Sequence, residues 1–181
     1  MRAGLIAGLA LACAISLSGC GEPKPDAPPP APRDISAEAV GHYCGMTLAE
    51  HEGPKGQIFL ENTADPVWFT AVKQVFAYTL LPEEPKAILA IYVNDMGKAG
   101  NWDHPDPGAW IDARRAWYVI ESSYIGGMGV EDALPFGDRQ QAQDFAAAHG
   151  GRVTSFQDMP ESYIWRQGAE AAPGDSLMEN H

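Results

Sequence analysis

Two stretches of this chain read as helices, and each sits among short β-rich runs. In "ADPVWFTAVKQVFAYTLL", Asp65 and Pro66 stand where a helix N-cap and first turn want them. Trp68, Val72, Val75, Phe76 and Thr79 then recur at helical spacing. In "DRQQAQDFAAAHGG" a helix starts near Asp138 and stops at Gly150, a natural C-cap. The strands flanking the first helix are "QIFLE" (Gln57 to Glu61) and "AILAIYVND" (Ala87 to Asp95). Those around the second are "AWYVIESS" (Ala116 to Ser123), "ALPF" and "RVTSF" (Arg152 to Phe156). One helix with a few short strands, twice over, predicts an α+β fold of two tandem ββαβ-like units sharing a compact domain over 35–159. The first unit covers 35–96 and has a short or irregular opening strand; the second covers 116–159. Residues 97–115, rich in Gly, Pro and Asp, form a linking loop. Residues 160–181 are polar and make a flexible tail.

The N-terminus supplies a compartment. "MRAGLIAGLALACAISLSGC" has one positive charge at Arg2, an apolar run from Leu5 to Leu17, then small residues before Cys20. The run is too short to cross a bilayer and has the layout of a bacterial export signal over 1–19. "LSGC" resembles the lipobox of bacterial lipoproteins. That resemblance implies cleavage before Cys20, acylation of that cysteine, and a periplasmic domain held to the membrane by lipid alone. "GEPKPDAPPPAPRD" is Pro-rich with almost no apolar side chains, so 20–34 should be a disordered, extended tether. The formal net charge of −12 argues against nucleic acid and against electrostatic adhesion to anionic lipid. It suits a cation as ligand or a partner with a basic docking face.

Of three cysteines, Cys13 departs with the signal and Cys20 is blocked by its lipid. Cys44 remains as a lone thiol in an oxidising compartment, where structural cysteines pair. It is a small buried hydrophobe, a nucleophile or a metal ligand. A second sulfur stands in "YIGGMG" (Tyr124 to Gly129), where glycines on both sides (Gly126, Gly127 and Gly129) present Met128 rather than pack it. In the tandem reading this loop, before "ALPF", is the counterpart of the Cys44 region before "QIFLE". Thiolate plus thioether selects a soft ion, and thioether suits Cu(I) better than zinc. No Cys-x-x-Cys or Cys₂His₂ spacing exists for a closed zinc site. Met46 could join if the loop curls, and His51 or His42 could supply a nitrogen. Met96, His104 and His149 read as incidental.

"CGMTLAEHEGPKGQI", "YIGGMG" and the lipobox together resemble the NosL family of copper-binding lipoproteins, which serve nitrous oxide reductase. The resemblance spans Ala39 to about Met159. It implies a monomeric, non-enzymatic Cu(I) metallochaperone. It implies delivery of copper to nitrous oxide reductase through an ABC-transporter-type maturation complex at the inner membrane. The family's soft ligands fall on Cys44 and Met128, with His51 favoured as the third. The competing classes are a thiol-dependent enzyme using Cys44 as nucleophile and a structural lipoprotein without metal. An enzyme needs a base beside the thiol and a group that orients it, and no orienting Asn or Asp stands out.

Overall fold

Alternation along the strands sets how the layers stack. The structure, a computed structural model, describes residues 28–166. Strands β1 (Gly56–Leu60), β2 (Val67–Phe69), β3 (Ile88–Asn94) and β4 (Trp110–Asp112) form one antiparallel sheet in the order β2-β1-β3-β4. Strands β5 (Trp117–Ile120), β6 (Leu134–Phe136) and β7 (Arg152–Ser155) form a second, in the order β6-β5-β7. Helix α1 (Val72–Leu80) follows β2, α2 (Arg139–His149) follows β6, and the short α3 (Glu161–Trp165) ends the described chain. The fold is α+β, and its two units run β1-β2-α1-β3 and β5-β6-α2-β7 with the same strand order in each sheet.

On β5, Tyr118 and Ile120 point one way and Val119 the other, as strand geometry requires. Tyr118 and Ile120 join Ile58, Phe69, Val72, Val75, Phe76 and Ile91 of the first unit in one buried core. Val119 joins Leu134, Phe136, Met96 and Ala142 in a smaller core under α2. The larger core therefore belongs to both units. Burying at least Phe69, Tyr78, Ile91 and Tyr118 in it removes side chains worth ~1.5–3 kcal/mol each from water.

Several boundaries differ from the sequence reading. The first helix starts at Val72, not near Asp65, because Val67–Phe69 pairs with Gly56–Ile58 as a strand. Val-Trp-Phe fits a pleated surface better than a helix. Asp65 caps nothing; its carboxylate meets Arg33 at 2.6 Å. The linking segment 97–115 contains β4, which pairs with β3 from Tyr92 to Asn94. Residues 160–181 are not tail throughout: α3 buries Tyr163 and Ile164, 1% and 7% exposed, in the larger core. The tether's last residues also lie on the domain. Arg33 and the buried Gln57 exchange two backbone-to-side-chain hydrogen bonds of 2.9 Å each, and the Tyr92 hydroxyl donates to the Pro30 carbonyl at 2.7 Å. Residues 1–27 and 167–181, with Cys20 among them, lie outside the described residues.

The unit alignment also shifts. The Cys44 segment precedes β1, whereas the 124–129 loop connects β5 to β6. Its counterpart in the first unit is the β1–β2 connection, 61–66. Cys44 and Met128 are thus not related by the repeat.

Candidate metal centre

Cys44 lies on a turn closed by two backbone bonds, Gly45 N–H to the Gly41 carbonyl at 2.8 Å and Gly41 N–H to the Met46 carbonyl at 2.9 Å. The turn is pinned to the edge of β2, where His42 N–H donates to the Trp68 carbonyl at 2.8 Å. A Cβ on Gly41 would collide with the Cys44 sulfur, so glycine here lets the turn fold under its own thiol. The thiol is half-buried and free. Its Sγ lies 3.3 Å from the Thr70 hydroxyl, and Thr70 Oγ1 in turn donates to Gln74 Oε1 at 3.3 Å. These two residues come from the end of β2 and the first turn of α1.

Met46 and His51 are brought together. Met46 is 44% exposed, and the His51 Nε2 sits 2.8 Å from its Sδ, so both donors address one point on the surface. The loop curls as needed because a 3₁₀ turn, Leu48–Glu50, stands between them with Leu48 fully buried as its anchor.

Met128 comes from the other unit. It is half-buried and lines a cavity of about 390 Å³ with Gln74, Ala71, Lys73 and Glu131. Gln74 therefore connects the Cys44 contact to the Met128 cavity. A second tie joins the two loops directly: a Cβ on Gly127 would collide with the Glu52 carbonyl, and one on Gly53 with the Tyr124 hydroxyl. The segment after His51 and the segment before Met128 thus pack backbone to backbone, which Gly127 permits by having no side chain. Burial pushes the Tyr124 phenol up to about 12, so it stays protonated at this joint.

Two charged groups support the joint from beneath. Lys55 is 2% exposed and donates from Nζ to the Gly53 carbonyl. Burial lowers its pKa to about 8, opposed by the charges of Asp132 and Glu52. Asp132 is buried, which raises its pKa, while three backbone N–H groups pull it back. Sequence reasoning missed Thr70, Gln74, Lys55 and Asp132. Nothing in the local pattern marked any of them: Lys55 stands in the polar, Gly- and Pro-rich run "EGPKGQ", and its burial follows from tertiary packing.

The remaining candidates lie elsewhere. His42 Nε2 pairs with Glu84 at 3.1 Å and its ring packs edge-on to Tyr78. Met96 is core, 2% exposed. His149 stacks on Phe145 in the last turn of α2, and His104 is exposed. Among the described residues no group of three or more His, Cys, Asp or Glu side chains could hold a metal. The donors that do meet are the Met46 thioether and the His51 imidazole, a pair that a soft cation prefers.

Fold and donors together define a small two-unit α+β domain in which a thioether and an imidazole, Met46 and His51, meet on one loop and that loop packs against the one carrying Met128. The family model for NosL matches residues 32–164. The copper-binding lipoprotein NosL of Achromobacter cycloclastes is 47% identical over 134 residues, covering 74% of this chain and 69% of that protein. Its namesake from Stutzerimonas stutzeri is 33% identical over 156 residues, covering 86% and 80%. The crystal structure of the copper chaperone NosL from Shewanella denitrificans superposes with a TM-score of 0.69 at 30% identity, over 75% of this chain and 99% of that one. The chain belongs to the NosL family.

Proposed function

We propose that this chain is a periplasmic metallochaperone, anchored through a lipid on Cys20, that binds Cu(I) and passes it on for assembly of the copper centres of nitrous oxide reductase. Cys44 and Met128 supply the sulfur donors, His51 the nitrogen, and Met46 an exposed thioether by which the ion arrives or leaves. The observation that supports this is the joint between Glu52–Gly53 and Gly127, which packs the segment just after His51 against the segment just before Met128. The names of the relatives, copper-binding lipoprotein and copper chaperone, support the choice of ion. Among the described residues no helix is long and apolar enough to cross a membrane. The maturation complex of ABC-transporter type remains the partner that the family resemblance implies. A thiol enzyme is less well supported, since the hydrogen-bond partner of Cys44 is the Thr70 hydroxyl, which is no base.

The test is a titration of the reduced mature chain with Cu(I) against a chromophoric competitor. One ion per chain should bind, and Met128→Ala should weaken it at least tenfold. The apo form of that variant should lose well under the ~2–5 kcal/mol that truncating a fully buried methionine costs. Unchanged affinity in Met128→Ala, or no uptake by the parent chain, would sink this reading.

A further inference from the structure

The two long helices are capped in different ways. α2 is capped locally: the Asp138 carboxylate accepts the Gln141 N–H at 3.0 Å. α1 has Ala71 at its N-cap, which offers no side-chain acceptor. Its first N–H groups go instead to a residue of the other unit. Val72 N–H donates to Asp132 Oδ2 at 2.9 Å and Lys73 N–H to Oδ1 at 2.8 Å. The same Oδ1 accepts the Ala133 N–H at 2.9 Å. Asp132 is 3% exposed, and a carboxylate so placed is costly unless its lone pairs are filled, as these are.

Asp132 stands four residues beyond Met128 on the same loop. Gly126 folds over it, so close that an added Cβ would lie 3.1 Å from the Asp132 Cβ. At the other end of the clamp, the capped turn follows directly on Thr70, whose hydroxyl touches the Cys44 sulfur, and it includes Gln74. One carboxylate therefore ties the loop that carries the thioether to the helix turn that follows Thr70, the residue whose hydroxyl contacts the thiol.

We propose that Asp132 is a positioning residue of the metal site: by capping α1 from the Met128 loop, it fixes thioether against thiol and so sets the affinity for Cu(I). A cap needed for helix stability alone could stand at position 71, as Asp138 does for α2. Placing it sixty residues on, beyond Met128, couples helix and loop instead. This inference rests on the Cu(I) reading above.

The experiment compares Asp132→Asn, the double variant Ala71→Ser with Asp132→Asn, and Asp138→Ala, each as the full mature chain. Asp132→Asn should bind Cu(I) about 10–100-fold more weakly, the range for outer-shell partners of a metal ligand. Ala71→Ser restores a local cap and should recover most of the lost melting temperature but not the affinity. Asp138→Ala should lower the melting temperature and leave Cu(I) affinity unchanged. Affinity that returns together with the melting temperature in the double variant would make Asp132 a cap and nothing more, and so would parental affinity in Asp132→Asn. Should the Asp132 variants fail to fold, hydrogen exchange on the parent chain decides the matter. Coupling is reciprocal, so Cu(I) loading should slow exchange of the Val72 and Lys73 amides severalfold; unchanged exchange overturns the proposal. A parent chain that takes up no Cu(I) sinks the metallochaperone reading itself, whereas a binding parent with indifferent variants sinks the clamp alone.

Discussion

Lys55 keeps an ammonium where water does not reach, with the Gly53 carbonyl as its hydrogen-bond partner. Its pKa is lowered to about 8 by burial, while an exposed lysine titrates near ~10.4. Between those values the unfolded chain still holds a proton that the folded chain has released. Stability therefore rises with pH from about 8 to about 10.4; below that window both states are protonated and the folded state bears the full cost of the buried charge. The shift corresponds to roughly 3 kcal/mol. Lys55→Met has nothing to titrate there, so chemical denaturation should show the parent chain gaining about that much relative to the variant between pH 7.5 and 10.5. A difference that stays flat with pH would mean that water reaches the ammonium. At this scale the sequence was partly legible. Cys44, Met46, His51 and Met128 stood out by chemistry, but a lysine beside a strand gives no sign of which way its side chain turns.

Gly127 and Gly129 flank Met128 and do different work. Gly129 has φ +72° with open space around it, so Gly129→Ala should cost the ~1–2 kcal/mol of a left-handed residue and leave the site's shape alone. A Cβ on Gly127 meets the Glu52 carbonyl and has to part the loops. Gly127→Ala should therefore weaken Cu(I) binding about tenfold or more, and Gly129→Ala by less than threefold. Equal affinities in the two would show that the loop joint does not set the site. The elements themselves were mostly readable. Long apolar strands such as β3, and α2 with its Asp138 cap and Gly150 stop, follow from local pattern. β2 and β4 are three residues each and form because β1 and β3 offer them unpaired edges, which no local window contains.

The two units do not close over their own cores. Tyr163 and Ile164 of α3 complete the larger one from the C-terminal side, and Lys73 and Arg166 lie over the Tyr163 ring at 4.5 and 5.4 Å. Removing a buried aromatic of this size costs ~3–5 kcal/mol, a large share of what a domain this size holds. A chain ending at residue 159 should therefore be unfolded or melt far below the parent, while one ending at 166 should melt within a few degrees of it. Circular dichroism melts of the two truncations check this, and equal melting temperatures would place α3 outside the fold.

From sequence alone came the α+β class, the doubled unit and the soft-donor residue types, because periodicity, composition and ligand chemistry are local properties. The tertiary structure decided which loops meet: the one carrying Met46 and His51 packs against the one carrying Met128. Cys44 and Met128 looked like partners by repeat symmetry, yet they occupy different positions in their units. What joins them is Thr70, Gln74, Asp132 and the Gly127 joint. Those contacts link residues far apart in the chain, and only packing both units on one core brings them within hydrogen-bonding distance.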